Sequence, residues 1–230
     1  MIVAIGKKTL ALILVCVILA QICLLFAISY TSFPAQENFS TFTIVIDAGH
    51  GGVDSGVVGV NTNVKESDLN LLYAQCLGSM FANVGAEVVY TRKTQDGLYG
   101  LATKGFKRRD MQKRKAIIES CNPTLVVSVH MNKFALSSRQ GPQVFFQKGD
   151  EKSGEFASMV QQSLNKFTQN NHSHLSGDFY VCRCADVPSI IVEFGFLSNP
   201  IEEEKLQQEK YMFDICNQTF FGIMTYLYSM

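Results

Sequence analysis

The sequence contains little charge and no charge imbalance. Charged residues make up 17% of the 230 residues, and Lys and Arg together number 20, as do Asp and Glu. A chain that is 47% hydrophobic is too apolar to be disordered. Because the net charge is zero, nothing attracts the whole chain to nucleic acid, and nucleic acid is not expected as a partner. With five prolines and no internal repeat, the chain is neither collagen-like nor proline-rich.

Charge is absent altogether from a long stretch near the N-terminus. No charged residue occurs from Thr9 to Gln36, and the run Thr9–Tyr30 is almost entirely apolar. As a helix this run would extend about 33 Å, which is enough for a bilayer core of about 30 Å. Lys7 and Lys8 precede the run, so the positive-inside rule places the N-terminus in the cytoplasm and the rest of the chain outside.

These features predict a single-pass cell-membrane protein with its main domain on the extracytoplasmic side. The predicted segments are a cytoplasmic N-terminus 1–8, a transmembrane anchor 9–30, a linker 31–42 and a catalytic domain 43–230. A cleaved signal peptide is an alternative, because Ala27 and Ser29 form a small-x-small pattern. A buried core helix is a third interpretation of the same run.

Short apolar runs alternate with helical patterns over residues 43–230. Strands are predicted at Thr43–Asp47, Ala86–Thr91, Thr124–His130, Gln143–Gln147, Phe179–Arg183 and Ser189–Phe194. Helices are predicted at Asp68–Asn83, Lys107–Ser120, Glu151–Asn170 and Glu202–Tyr228, the last with a break near Gln208. Most of the strands are apolar on both faces. This alternation is typical of a single α/β domain, in which helices flank a mainly parallel sheet of about six strands.

Polar side chains stand at the ends of three predicted strands. His50 follows the first strand, and His130 and Glu193 lie at the ends of two others. Ligands of open α/β sheets bind beyond the carboxyl ends of the strands, so these side chains should converge. The loop 51–65 is long enough to return Glu66 to the same edge. Taken singly, His50, His130 and Glu66 also have simpler interpretations, as a turn histidine, a strand cap and a solvated charge. A glutamate inside the apolar run IIVEF is harder to explain without a function.

Together these residues match a catalytic metal site. Two histidines and a glutamate are a common zinc set that leaves a fourth position for water. A second carboxylate nearby can act as a general base, and Glu193 fits that function because apolar neighbours desolvate it.

Four motifs carry a resemblance to a known family. In chain order they are IVIDAGHGG, the pair Lys65-Glu66 before a helix, SVHMN, and VPSIIVEFGFLSNP. They resemble the zinc-dependent N-acetylmuramoyl-L-alanine amidases of the amidase_3 type. Members of that family are cell-wall hydrolases that cleave the amide bond between N-acetylmuramic acid and L-alanine of the peptidoglycan stem peptide. The resemblance runs from about Thr43 to Tyr228.

The resemblance implies functions for individual residues. It implies one Zn²⁺ per chain, held by His50, Glu66 and His130, with Glu193 as the catalytic acid/base. Arg114 matches an arginine that the family commonly has ahead of the SxHxN strand. We predict Arg114 and Asn132, the latter within that motif, as substrate-binding residues.

The partners implied are peptidoglycan, the membrane through the N-terminal anchor, and an activating protein that the sequence does not identify. The stretch TKGFKRR, residues 103–109, is similar to membrane-anchored sporulation amidases that help make muramic-δ-lactam in spore cortex. Two other functions stay open. One is a peptidoglycan-binding pseudoenzyme, and the other is a zinc peptidase that acts on the stem peptide.

Overall fold

The protein is described from a computed structural model, which covers residues 6, 16–18, 20–21 and 42–230. The chain divides into two compact units, Met1–Ser40 and Thr41–Met230. Almost all of the predicted cytoplasmic segment, anchor and linker lies outside the described residues. The fold below is that of the second unit.

The prediction of a membrane-anchored localisation is contradicted. Within the part of the chain that the structure describes, no helix combines the length and apolarity needed to cross a membrane. The prediction depended on the composition of residues 9–30 and on the position of Lys7 and Lys8. Composition and flanking charge alone do not establish a spanning helix.

The second unit alternates strands and helices over its whole length. Its strands are β1 (Thr43–Ala48), β2 (Glu87–Tyr90), β3 (Leu125–Asn132), β4 (Gln143–Gln147), β5 (Leu175–Gly177) and β6 (Ser189–Phe196). Its helices are α1 (Glu66–Asn83), α2 (Phe106–Ser120), α3 (Glu151–Thr168), α4 (Pro200–Leu206) and α5 (Glu209–Leu227). A short 3-10 helix, Val181–Arg183, precedes β6.

The six strands form one mixed sheet in the order β2-β1-β3-β6-β4-β5. All neighbouring strands run parallel except β4 and β6, which are antiparallel. The predicted α/β domain with a mainly parallel sheet of about six strands is therefore confirmed. Because β1, β3 and β6 are parallel neighbours at the centre, their carboxyl ends meet at one edge.

Alternate residues of the central strands face two hydrophobic layers. Ile44 and Ile46 of β1 belong to the larger core, which α1, α3 and α5 cover, whereas Val45 belongs to a smaller cluster with Ile118 of α2. Both faces of β1 are thus buried, as the continuous apolar run predicts.

One of the predicted elements differs from the structure. The predicted strand Phe179–Arg183 is wrong, because Val181–Arg183 within it forms the 3-10 helix. The neighbours Val181 and Cys182 both pack in the smaller cluster, whereas a strand would point them to opposite faces. The predicted break near Gln208 in the helix Glu202–Tyr228 is confirmed, because α4 and α5 are separated at Gln207 and Gln208.

Helices α3 and α5 pack against each other at Gly222 in the larger core. A Cβ added there would lie 2.8 Å from the Cα atom of Val160. Alanine favours a helix over glycine by about 1 kcal/mol, but overpacking of a core costs about 1–3 kcal/mol. We therefore expect Gly222→Ala to lower the free energy of unfolding by about 1 kcal/mol, measured by urea denaturation.

Gly154→Ala is the matched control, since its added Cβ would meet only the ring edge of Phe146 at 3.1 Å. That ring can rotate, so this variant should be at least as stable as the wild type. Equal stability of the two variants would contradict the packing argument.

Candidate functional site

The central strands and the first helix bring four side chains to one edge of the sheet. His50 lies two residues beyond β1, and His130 of β3 pairs in register with Glu193 of β6. Glu66 is the first residue of α1. The convergence expected from the sequence is therefore present in the fold.

Three of these side chains form a cluster with the composition of a metal site. The ligand atoms of His50, Glu66 and His130 all lie within 4.8 Å of one another. Glu66 Oε1 is 3.2 Å from His50 Nε2 and 2.9 Å from His130 Nδ1. The two imidazole rings meet edge to face, with centroids 5.0 Å apart.

Glu66 is buried but well supplied with hydrogen-bond donors. Its Oε2 accepts from the backbone N–H of Val57 at 2.7 Å, and its Oε1 from the side chain of Asn70 and the backbone of Met131, both at 3.3 Å. Burial raises the pKa of Glu66, but the hydrogen bonds and charges of His130 and His50 outweigh burial and lower it. Glu66 is therefore held as a carboxylate, the form that binds a cation.

Within the described part of the chain, Glu193 differs from Glu66 in lacking a hydrogen-bond donor for one of its buried carboxylate oxygens. Its Oε2 is buried without a hydrogen-bond partner among the residues described, and it lines the same cavity as His50 and Glu66. Burial raises the pKa of Glu193 to about 7, with a further contribution from the charge of Glu66 that the two histidines oppose. A carboxyl group with such a pKa can take up and release a proton near neutral pH.

Asp54 is a functional residue that the sequence analysis missed. Its Oδ2 lies 3.1 Å from His50 Nδ1, and its Oδ1 lies 3.0 Å from Lys107 Nζ. A carboxylate on the second nitrogen of a ligand histidine fixes the tautomer and the orientation of the ring. The available signal was an acidic residue four positions after His50 in a glycine-rich loop.

Two buried arginines hold the backbone that carries His50. Arg92 donates to the carbonyl oxygens of Ala48 and Gly49, both at 2.9 Å. Arg114 donates to the carbonyl oxygens of Ala48 at 2.7 Å and His50 at 2.6 Å. His50 has a φ of 60°, a left-handed conformation that is costly for a residue with a side chain. These hydrogen bonds stabilise it there.

The predicted substrate-binding residue Arg114 is engaged in ion pairs, and its contact with a substrate stays a prediction. Its side chain is buried and forms ion pairs with Asp47 at 2.5 Å and Asp110 at 2.6 Å. Burial alone raises the pKa of Asp47, but the charge of Arg114 and hydrogen bonds from neighbouring hydroxyls outweigh it and lower the pKa to about 2. With its donors directed at these groups, Arg114 holds the loop, and its side chain also lies in the wall of a cavity that His50 and His130 line.

Asn132, the other predicted substrate-binding residue, lines the cavity that also contains Glu193 and Glu66, and its contact with a substrate stays a prediction. Its Oδ1 accepts from the backbone N–H of Lys133 at 2.7 Å. Gly49 lies directly against the imidazole of His130. A Cβ at this position would clash with that ring. The glycine of the AGH sequence is thus a requirement of the site.

Comparisons with known proteins show the family to which the chain belongs. The sequence profile of the Amidase_3 family, described as N-acetylmuramoyl-L-alanine amidase, matches residues 44–225. The germination-specific N-acetylmuramoyl-L-alanine amidase of Bacillus subtilis (strain 168) is 30% identical over 189 residues, which are 80% of this chain and 78% of the relative.

Solved structures share the fold at similar identity. The CwlD amidase from Clostridioides difficile, solved in complex with the GerS lipoprotein, has a TM-score of 0.79 and 31% identity, and the match covers 83% of this chain and 100% of that one. The catalytic domain of CwlV from Bacillus (Paenibacillus) polymyxa var. colistinus has a TM-score of 0.72 and 28% identity, with the same two coverages.

The contact between Asp54 and His50 yields a prediction about metal affinity. Asp54→Asn should leave the fold intact but weaken Zn²⁺ binding about 10–100-fold, because the neutral amide orients His50 less strongly. Competition with a chromophoric chelator measures the affinity. The control is Asp178→Asn, which removes an exposed carboxylate that pairs with Arg183 and contacts no histidine. Equal Zn²⁺ affinity of the wild type and Asp54→Asn would refute the function assigned to Asp54.

Proposed function

We propose that this chain, which belongs to the Amidase_3 family of N-acetylmuramoyl-L-alanine amidases and is a peptidoglycan amidase, works with one zinc ion. His50, Glu66 and His130 hold the ion, and Glu193 transfers the proton. The observation that carries this proposal is the position of Glu193, whose unpartnered buried oxygen lines the cavity beside a cluster of three metal-ligand side chains. The resemblance of the four sequence motifs to this family is confirmed.

The residues present fit zinc. Two imidazole nitrogens and one carboxylate oxygen are typical of catalytic zinc sites that keep a position open. The three ligand atoms lie within 4.8 Å of one another, and Asp54 supplies the carboxylate that commonly supports a ligand histidine. The buried negative charge of Glu66 also favours a cation at this point, because an unpaired buried charge is costly.

When bound, a zinc ion lowers the pKa of water and polarises a carbonyl oxygen. Glu193 takes a proton from the attacking water, whose oxygen bonds to the lactyl carbonyl carbon of N-acetylmuramic acid. As the C–N bond breaks, Glu193 passes that proton to the nitrogen of L-alanine. The products are a free lactyl carboxyl group and a stem peptide with a free amino end. Asn132, on the wall of the same cavity, orients the substrate.

A function in the bacterial spore is a further proposal. The similarity to a germination-specific amidase and to CwlD supports it, as does the stretch at residues 103–109. CwlD was solved in complex with a lipoprotein, and we propose an accessory protein partner for this chain on that ground.

Digestion of purified peptidoglycan tests the reaction. The full chain should release intact stem peptides with a free L-alanine amino group, and a zinc chelator should abolish the release. Mass spectrometry of the products is the measurement, and added Zn²⁺ should restore activity. Shortened stem peptides would identify a zinc peptidase instead. Binding to peptidoglycan without any release would identify a pseudoenzyme.

A pair of glutamine variants separates metal binding from proton transfer. Glu193→Gln keeps its size but cannot carry the proton, so it should retain zinc and lose about 10²–10⁴-fold of the activity. Glu66→Gln should lose both zinc and activity, because a neutral amide is a poor ligand. Metal analysis and stem-peptide release are measured on both variants.

The functions of the two glutamates would have to be exchanged if the results were reversed. That is the case if Glu193→Gln lacks zinc or if Glu66→Gln retains it without turnover.

A further inference from the structure

Two cavities of different character border the proposed zinc site. One has a volume of about 320 Å³ and the other of about 670 Å³, and His50, Asp54 and Lys107 lie on the wall of both. The apolar part of the smaller cavity consists of Met111, Phe179, Tyr180, Val181 and Ile191. The larger cavity contains the polar residues of the site, among them Glu193 and Asn132.

The smaller cavity has no positive charge to spare. Within its wall, Asp47 and Asp110 form ion pairs with Arg114, and Asp54 forms one with Lys107. Asp178 of the wall pairs with Arg183, which lies outside it. An anionic group entering this cavity would meet carboxylates and an apolar wall. An uncharged sugar with an apolar ring face suits it better, because Tyr180 and Phe179 offer aromatic surface.

The larger cavity has one lysine that forms no ion pair among the described residues. Lys133 directly follows Asn132 at the end of β3 and lines this cavity with an exposed side chain. None of the ion pairs found over the described residues includes Lys133, whereas Lys107, the other lysine of this cavity, lies 3.0 Å from Asp54. Lys133 is therefore the residue of this wall that is left to attract an anion.

We propose that Lys133 binds a free carboxylate of the stem peptide, so that the larger cavity takes the peptide arm of the substrate and the smaller one takes the glycan. This inference rests on the proposed amidase function. It follows from the chemistry of the two arms, since the glycan beside the scissile amide is uncharged and the peptide carries free carboxylates. The assignment fixes the direction in which the substrate crosses the zinc site.

Two muramoyl peptides that differ in one group test this proposal. One carries a free α-carboxylate on the second residue of the peptide, and the other carries the carboxamide. The wild type should have about a fivefold lower KM for the carboxylate form, the size expected of a solvent-exposed ion pair, with similar kcat values. Lys133→Met should raise the KM of the carboxylate form about fivefold, remove the preference and leave the zinc content unchanged.

Two further variants sharpen the result. Lys133→Arg keeps the charge and should retain the preference. Lys152→Met removes an exposed lysine of α3 that lines neither cavity, and it should behave as the wild type. The proposal is overturned if the wild type does not distinguish the two substrates, or if Lys133→Met weakens both of them equally.

Calorimetric binding of the two free stem peptides separates this inference from the proposed function. Binding requires no turnover, so a wild type that hydrolyses neither substrate would refute the amidase reaction alone. Tighter binding of the carboxylate peptide by the wild type, lost in Lys133→Met, would still support the contact with Lys133. Equal binding of the two peptides would overturn it.

Discussion

The geometry of the site depends on two buried guanidinium groups that hold three consecutive backbone carbonyls. Arg92 and Arg114 both donate to the carbonyl oxygen of Ala48. Arg92 also donates to the carbonyl oxygen of Gly49, and Arg114 to that of His50. Burial lowers the pKa of Arg92 to about 10, with a contribution from the charge of Arg114. The negative charges of Asp47 and Asp110 offset the free-energy cost of burying the guanidinium group of Arg114. A lysine presents a single charged group, so it cannot reproduce this planar set of donors.

The irregular loop between β1 and α1 depends in turn on two buried glutamates. Glu66 fixes the middle of the loop by accepting from the backbone of Val57. Glu203 of α4 fixes the far side, accepting from the backbone N–H groups of Asn61 at 2.8 Å and Thr62 at 2.7 Å. Because buried backbone donors need acceptors, these two carboxylates allow a loop without regular secondary structure to form one wall of the larger cavity. The same carboxylate of Glu66 is thus both a loop anchor and a proposed metal ligand.

The sequence predicts the parts of this molecule whose signal is local. The strands β1, β3 and β6 are short apolar runs that end in polar residues, so the convergence of His50, His130 and Glu193 follows from the sheet alone. The strand predicted at Phe179–Arg183 is wrong because the spacing of its apolar residues is compatible with both a strand and a helix. Only packing in the smaller hydrophobic cluster decides between the two. The ion pairs of Arg114 are not predictable for another reason, since its partner Asp47 is 67 residues away and is brought close only by the fold.

The contrast between Glu66 and Glu193 shows why position in the secondary structure matters more than residue type. Glu66 begins a helix next to a loop, where backbone N–H groups such as that of Val57 have no ladder to join and can donate to it. Glu193 lies within a strand that has a partner on each side, so the backbone N–H groups around it serve the sheet. One carboxylate is therefore kept charged and the other kept able to carry a proton. Two groups of the same chemistry, 127 positions apart in sequence, acquire the separate properties that a hydrolytic metal site requires.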